Sequence, residues 1–314
     1  MTISKYDLRK AYSRVRPFVF KTPVVSSSYL DAQYEAQFFI KSEQFQPIGA
    51  FKIRGAANFT QILSDAELKK GLVTHSSGNH AQAVAFMAYK LGIKASVVMP
   101  DNSNKVKIAN AKKWGAEVIL CEPTIEARLA VSNRIARETS ATIVPPFDHE
   151  WIIEGQATAA MELIADVPDL DYIIAPLGGG GLLSGTALAA HYFSPKTVVI
   201  GAEPENASDG FEGFKTGIRV SSFKPNTIAD GLRTTVGEIP FEYIKKLVSD
   251  IWLAPEDLIA KSMFEYWQQT KHIIEPSCAV PMAAFHSKRD LLKGKKVGII
   301  ITGGNVDFTS LPSL

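Results

Sequence analysis

From residue 70 onward, short β-rich runs alternate with helical stretches, a cadence that points the chain toward a parallel α/β architecture. Strands are expected at LVTHS, ASVVMP, EVILCE and TIVPP, separated by the helical segments GNHAQAVAFMAYKLG, NKVKIANAKKWG and IEARLAVSNRIARET. Two of those helices close on Lys-x-Gly, a C-cap signal, and the set forms a self-contained four-stranded unit. A second series starts after Glu154: EGQATAAMELIAD as helix, DYIIAPLG as strand, LLSGTALAAHYF as helix, TVVIGAEP as strand and KVGIIIT as the last strand. Because FFIKSE and a helix starting near Phe51 precede the four-stranded unit, the expected organisation is a large domain of residues 1–66 and 148–314 interrupted by a small domain of residues 67–147. The stretch from Glu205 to Pro240, rich in Gly, Ser, Asn and Pro, reads as surface loops.

An apolar fraction of 46% over 314 residues supports a sizeable core, and a net charge of +2 gives no field that would call for nucleic acid or an anionic membrane. A small molecule is the expected partner. The N-terminus carries charge throughout and lacks the apolar core of a secretory signal, so a cytoplasmic location is expected. Cys121 and Cys278 have no CxxC spacing and read as buried, unreactive thiols.

Four segments carry candidate chemistry: GAFKIRG around Lys52, SSGNH at 76–80, GGGG at 178–181 and TGGN at 302–305. Each lies at a strand end or a helix start, and in open α/β sheets such ends converge on a ligand crevice. Gly178, Gly179, Gly180 and Gly181 follow a strand and precede a helix, which suits a phosphate on free N–H groups. Their spacing fits neither a Walker loop nor the dinucleotide fingerprint. Taken alone, Lys52 reads as one more solvated lysine, although its small and apolar neighbours could lower its pKa and make the amine nucleophilic. Ser76, Ser77, Gly78, Asn79 and His80 form a polar junction able to hold a carboxylate, with His80 equally readable as a satisfied helix histidine.

Lys52 within SEQFQPIGAFKIRGA, together with SSGNHAQA, VPPFDH, PLGGGGLLSG, IEPSCAV and ITGGNVD, resembles the fold-type II pyridoxal-phosphate enzymes of the serine/threonine dehydratase and serine racemase family. The likeness runs over nearly the whole chain. It implies a tryptophan synthase β-like α/β fold, two domains each with a largely parallel twisted sheet flanked by helices, and a homodimer. It also implies that Lys52 holds pyridoxal 5'-phosphate as a Schiff base and then removes the α-proton. The four glycines would bind the cofactor phosphate, Asn79 its ring hydroxyl and Thr302 its pyridine nitrogen, with Phe51 beside the ring and Glu275 near its edge. Thr302 stands where many members have Ser, and an uncharged hydroxyl there makes the cofactor a weaker electron sink, which favours β-elimination.

The resemblance leaves the substrate open. Ser77 matches the serine racemases and hydroxyaspartate dehydratases, where a hydroxyl opposite Lys52 could reprotonate the second face. PPFDH at 145–149 looks more like the threonine dehydratases, and Ala157 in GQAT replaces the family's usual glycine. Arg128 falls where relatives place an arginine that approaches a distal carboxylate, against the alternative of a solvated arginine on an amphipathic helix. Glu203, Ala207 and Asp209 match the family's divalent-cation site, which suits Mg2+ or Ca2+. The leading expectation is an ammonia-lyase converting L-threonine or L-serine to a 2-oxo acid and ammonia. Serine racemisation with dehydratase side activity and 3-hydroxyaspartate dehydration are the enzymatic rivals, and a catalytically silent cofactor-binding protein is the alternative of a different class.

Overall fold

The computed structural model describes residues 2–76, 78–103, 105–309 and 311–312. Its strands are β1 (Val24–Ser26), β2 (Gln37–Ser42), β3 (Leu72–His75), β4 (Ala95–Pro100), β5 (Glu117–Cys121), β6 (Thr142–Ile143), β7 (Tyr172–Pro176), β8 (Val198–Pro204), β9 (Asp250–Ala254) and β10 (Lys296–Ile301). They form a six-stranded sheet of order β1-β2-β10-β7-β8-β9 and a four-stranded sheet of order β5-β4-β3-β6. All pairs are parallel except β1 with β2.

Parallel sheets need cover on both faces, and the strand sequences comply by being apolar at successive positions. In the large sheet Ile174, Ile299 and Ile301 pack into one layer with the helix Pro276–Phe285. Ile173, Ala175 and Ile300 point the other way, into the layer built by the helices Glu150–Asp166 and Gly181–Phe193. The small sheet repeats the plan, with Val97 and Met99 against the helix Asn79–Leu91 and Val73 and Val98 against the helix Ile125–Thr139.

Strand order places the ligand crevice. In the large sheet the chain runs outward from β7 through β8 to β9, whereas β10 lies on the other side of β7. In the small sheet it runs from β3 through β4 to β5, with β6 on the other side of β3. Each sheet therefore has a reversal point, and the carboxyl ends of β7, β10, β3 and β6 open there.

The helix Lys52–Thr60 is anchored by a buried ionic cluster. Arg54 forks onto Glu43 (2.6 and 2.8 Å) and Glu162 (2.9 and 2.8 Å), and Lys41 Nζ reaches Glu162 at 2.7 Å. Two cations face two carboxylates, each no more than 4% exposed, so the cluster is neutral as a unit. The same helix crosses Glu150–Asp166 closely enough that a Cβ on Gly155 would sit 2.5 Å from the Arg54 carbonyl.

The segment from Glu205 to Pro240 is not wholly loop. Asp209–Thr216 is a helix, ended by Gly217 at φ +77, whose Phe211 and Phe214 pack on the large core. Its own two glycines disguised it in the composition. The helix expected at Glu154 starts at Glu150, where the His149 ring accepts from the Trp151 N–H. Strand β6 keeps only two residues of TIVPP, because Pro145 and Pro146 lack the N–H a ladder requires. Among the described residues no helix is long and apolar enough to cross a membrane.

Candidate active site

The four carboxyl ends meet in a cleft of about 840 Å³, within the range of small-molecule sites. It gathers Phe51, Lys52, Ser76, Asn79, His80, Arg128, the glycines 178–181, Glu275 and Thr302. Ser77 lies outside the described residues.

Lys52 opens its helix and is half-buried, with Nζ donating to the Pro146 carbonyl at 2.7 Å and lying 5.3 and 5.9 Å from the rings of Phe51 and Phe147. Desolvation in this apolar setting brings the amine down to about 8.

The glycine turn leads from β7 into the helix Gly181–Phe193, whose first N–H groups have no intrahelical acceptor. Those groups and the helix dipole suit an anion. Side chains are barred here for specific reasons: a Cβ on Gly179 would lie 2.2 Å from the Phe147 ring, and Gly180 has φ +87. The PPFDH motif thus has a structural meaning. Pro146 receives the lysine, Phe147 backs the glycines, Asp148 accepts from the N–H groups of Glu238 and Ile239, and His149 caps the next helix.

On the opposite wall, Asn79 Nδ2 donates to Glu275 Oε1 at 2.8 Å, and Asn305 Nδ2 donates both to Asn79 Oδ1 (2.8 Å) and to the Ile48 carbonyl (2.9 Å). Thr302 Oγ1 lies 3.1 Å from Cys278 Sγ, which also accepts from the N–H groups of Thr302 and Gly303 and donates to the Gly303 carbonyl. Burial pushes that thiol up to about 12. Cys121, expected to be buried, is half-exposed on the edge strand β5.

Ser76 Oγ accepts from the Gly78 N–H at 3.2 Å. His80 is buried, its Nε2 donating to the Val144 carbonyl at 3.0 Å, and desolvation followed by the charge of Lys52 lowers it to about 3. It is therefore a neutral imidazole. Arg128 lines the cleft half-buried, its Nε donating to the Thr124 carbonyl at the start of its own helix at 3.3 Å, and after desolvation its charge is the second cause that lowers His75.

The carboxylates at 203 and 209 stand apart from the cleft. Glu203 accepts from the N–H groups of Gly210 and Phe211, and Asp209 accepts from that of Val236. Burial raises both, Asp209 to about 6, and Asp209 is a second cause for Glu203. Ala207 is buried between them in sequence. Among the described residues, no three His, Cys, Asp or Glu side chains cluster as a metal site, so any cation here would need the Ala207 carbonyl or water to complete its shell.

Sequence reasoning singled out TGGN without assigning Asn305, and an amide directly after a glycine, as in SSGN, was the available signal. Cys278 and Pro146 lay within the motifs IEPSCAV and VPPFDH, but nothing in the sequence gave their contacts with Thr302 and Lys52, which join segments far apart in the chain.

A desolvated amine sharing a cleft with a glycine-lined helix start, at the carboxyl ends of two largely parallel sheets, is the arrangement of an α/β enzyme of the fold-type II class. The pyridoxal-phosphate dependent enzyme family model matches residues 15–303, and the chain belongs to that family. It is 40% identical to the β-hydroxyaspartate dehydratase of Paracoccus denitrificans over 98% of this chain and 97% of that protein. It is 42% identical to a serine racemase of Oryza sativa subsp. indica, over 96% of this chain and 91% of that one. Among solved structures, maize serine racemase superposes with a TM-score of 0.95 at 39% identity, covering 98% of this chain and 95% of the other.

Proposed function

We propose that the protein is a pyridoxal-phosphate-dependent ammonia-lyase that removes the β-hydroxyl of a small hydroxy amino acid and releases a 2-oxo acid and ammonia. The observation that carries this reading is the Lys52 amine, brought to about 8 and set in the same cleft as the glycine turn and Thr302. When bound, the cofactor supplies an aldehyde for an amino group and a conjugated ring that accepts the electron pair left when the Cα–H bond breaks.

The residues present fit that group. The N–H groups at 178–181 would bind its phosphate, on a turn packed so closely that a Cβ on Gly179 would meet Phe147 at 2.2 Å and one on Gly180 would meet Pro240 at 2.8 Å. Asn79 would donate to its ring oxygen, Thr302 would meet its ring nitrogen, Phe51 would pack beside it and Glu275 would stand at its edge. Lys52 Nζ would carry the cofactor and then take the proton from the substrate Cα, with Ser76, Asn79 and His80 lining the substrate carboxylate's side. A Ser77 hydroxyl would serve as the second acid for racemisation. Glu203, Asp209 and the Ala207 carbonyl would hold Mg2+ or Ca2+, which offsets two buried carboxylates. Residues 67–147 would form the small domain inserted between residues 1–66 and 148–314.

L-Serine and L-threonine need only the cleft's carboxylate end. A second reading, 3-hydroxyaspartate as substrate, is favoured by Arg128, which puts a cation on the cleft wall, and is consistent with the Paracoccus relative. The test is 2-oxo acid release from L-serine, L-threonine and 3-hydroxyaspartate, with chiral analysis of recovered serine. Borohydride reduction and peptide mapping should put the pyridoxyl group on Lys52; an adduct elsewhere, or turnover by Lys52→Ala, would refute the reading.

A further inference from the structure

We propose that Asn305 is a positioning residue that fixes the polarity of the Asn79 carboxamide, so that Asn79 presents NH2 rather than oxygen to the cofactor ring. The inference rests on the reading that the cofactor is held at Lys52 with its ring beside Asn79.

A carboxamide can turn over and exchange its donor and acceptor ends with little change in shape, so its polarity is set by its partners. Here the partners settle it in one direction. The Ile48 carbonyl can only accept, and Asn305 Nδ2 lies 2.9 Å from it, so the amino end of Asn305 must face that side. The same nitrogen lies 2.8 Å from Asn79 Oδ1, which makes that atom the acceptor and turns Nδ2 of Asn79 toward Glu275 Oε1 at 2.8 Å.

Reversing Asn79 alone would set two amino groups face to face and press its oxygen against a carboxylate. Reversing both amides would oppose Asn305 Oδ1 to the Ile48 carbonyl. Each alternative replaces hydrogen bonds by half-buried like-pole contacts.

The relay starts at the backbone that carries the lysine. Gly304 donates to the Gly49 carbonyl at 2.9 Å, and Phe51 donates to that of Thr302 at 2.9 Å, which joins the 48–51 loop to the 302–305 turn. Gly49 has φ +70, and a Cβ there would lie 2.7 Å from Asn305 Oδ1. A glycine is therefore required at that approach. One hydrogen of Asn79 Nδ2 is used on Glu275, and the second is the donor available to the ring oxygen. Donation of this kind favours the ionised oxygen and tightens binding.

The experiment uses holoenzyme of wild type, Asn305→Ala, the isosteric Asn305→Asp, Asn79→Ala and the double variant Asn79→Ala/Asn305→Ala. It reads the absorbance maximum of the bound cofactor and its dissociation constant by equilibrium dialysis. Asn305→Ala should shift the maximum and weaken cofactor binding about three- to tenfold. Asn305→Asp should do the same, because a carboxylate cannot donate to the Ile48 carbonyl. In the Asn79→Ala background the change at 305 should have no further effect on either reading.

Additive effects of the two sites, or a wild-type spectrum and affinity in Asn305→Asp, would overturn the proposal while leaving Lys52 as the cofactor's anchor. If borohydride mapping places no pyridoxyl group on Lys52, the functional reading fails and this inference fails with it. A purely structural role for Asn305 would lower the urea midpoint equally in both backgrounds without the background-dependent spectral shift.

Discussion

Lys52 Nζ donates to the carbonyl of Pro146 at 2.7 Å, so the amine from the start of one helix is held by the loop that follows β6. A carbonyl stabilises the ammonium, yet desolvation dominates and leaves the pKa at about 8. Roughly a quarter of such an amine is neutral at pH 7.5, against a negligible fraction for an ordinary lysine. Only the neutral amine attacks an aldehyde. Capture of pyridoxal phosphate by apoenzyme, followed by absorbance, should therefore accelerate with rising pH and level off above about 8. A midpoint above 10 would show an amine unperturbed by its site.

Arg54 sits two residues beyond Lys52, with its fork satisfied by Glu43 and Glu162 at zero exposure. Its removal would leave two buried carboxylates with Lys41 alone. Arg54→Ala should lose about 3–5 kcal/mol in urea denaturation. Arg54→Lys should recover only part, because an ammonium cannot make the bidentate contacts. A loss under about 1 kcal/mol in Arg54→Ala would mean that water or rearrangement replaces the cation there.

The parallel strands and the helices between them were legible because each is a local run with its own period and turn signals. Lys52, Asn79, the glycine turn and Thr302 were legible as strand-end and helix-start segments, and the structure gathers them in one cleft. The helix Asp209–Thr216 was hidden by glycines that its tertiary packing tolerates. Lys41, Glu43, Arg54 and Glu162 carry no local signal that they are buried together, and only the fold makes them one cluster. Asn305 was visible as part of a motif, but its task depends on a carbonyl more than two hundred residues away.

His80 is buried as a neutral ring at about 3, below its ordinary 6.5. Between those values the unfolded chain binds a proton that the folded protein refuses. Stability from this group is complete above pH 6.5 and falls as the solution is acidified. Wild type should lose about 2 kcal/mol from this source between pH 7 and pH 5. His80→Gln should lose correspondingly less over the same interval in urea titrations, and equal losses would assign the acid sensitivity to other groups.

Glu203 and Asp209 are raised by burial and have backbone N–H partners that only partly compensate. A divalent cation would relieve them. Mg2+ or Ca2+ should raise the melting temperature of wild type, chelator should reverse it, and Glu203→Gln with Asp209→Asn should abolish the response. An undiminished response in the double variant would move the cation elsewhere.

If the proposed reading holds, Arg128 would separate the candidate substrates. A distal carboxylate paired with its guanidinium on the cleft wall gains a charge-assisted contact that serine and threonine cannot make. Losing such a contact costs about 1.5–3 kcal/mol, so Arg128→Gln should lower kcat/KM for 3-hydroxyaspartate roughly ten- to a hundredfold and leave L-serine elimination within about twofold. In parallel, Ser77→Ala should reduce serine racemisation while sparing elimination, since a second acid is needed only when the proton returns on the opposite face. If Arg128→Gln slows both substrates equally, the arginine supports the cleft without reading a second carboxylate, and L-serine or L-threonine becomes the better substrate assignment. If Ser77→Ala loses both reactions together, residue 77 holds the substrate rather than delivering a proton.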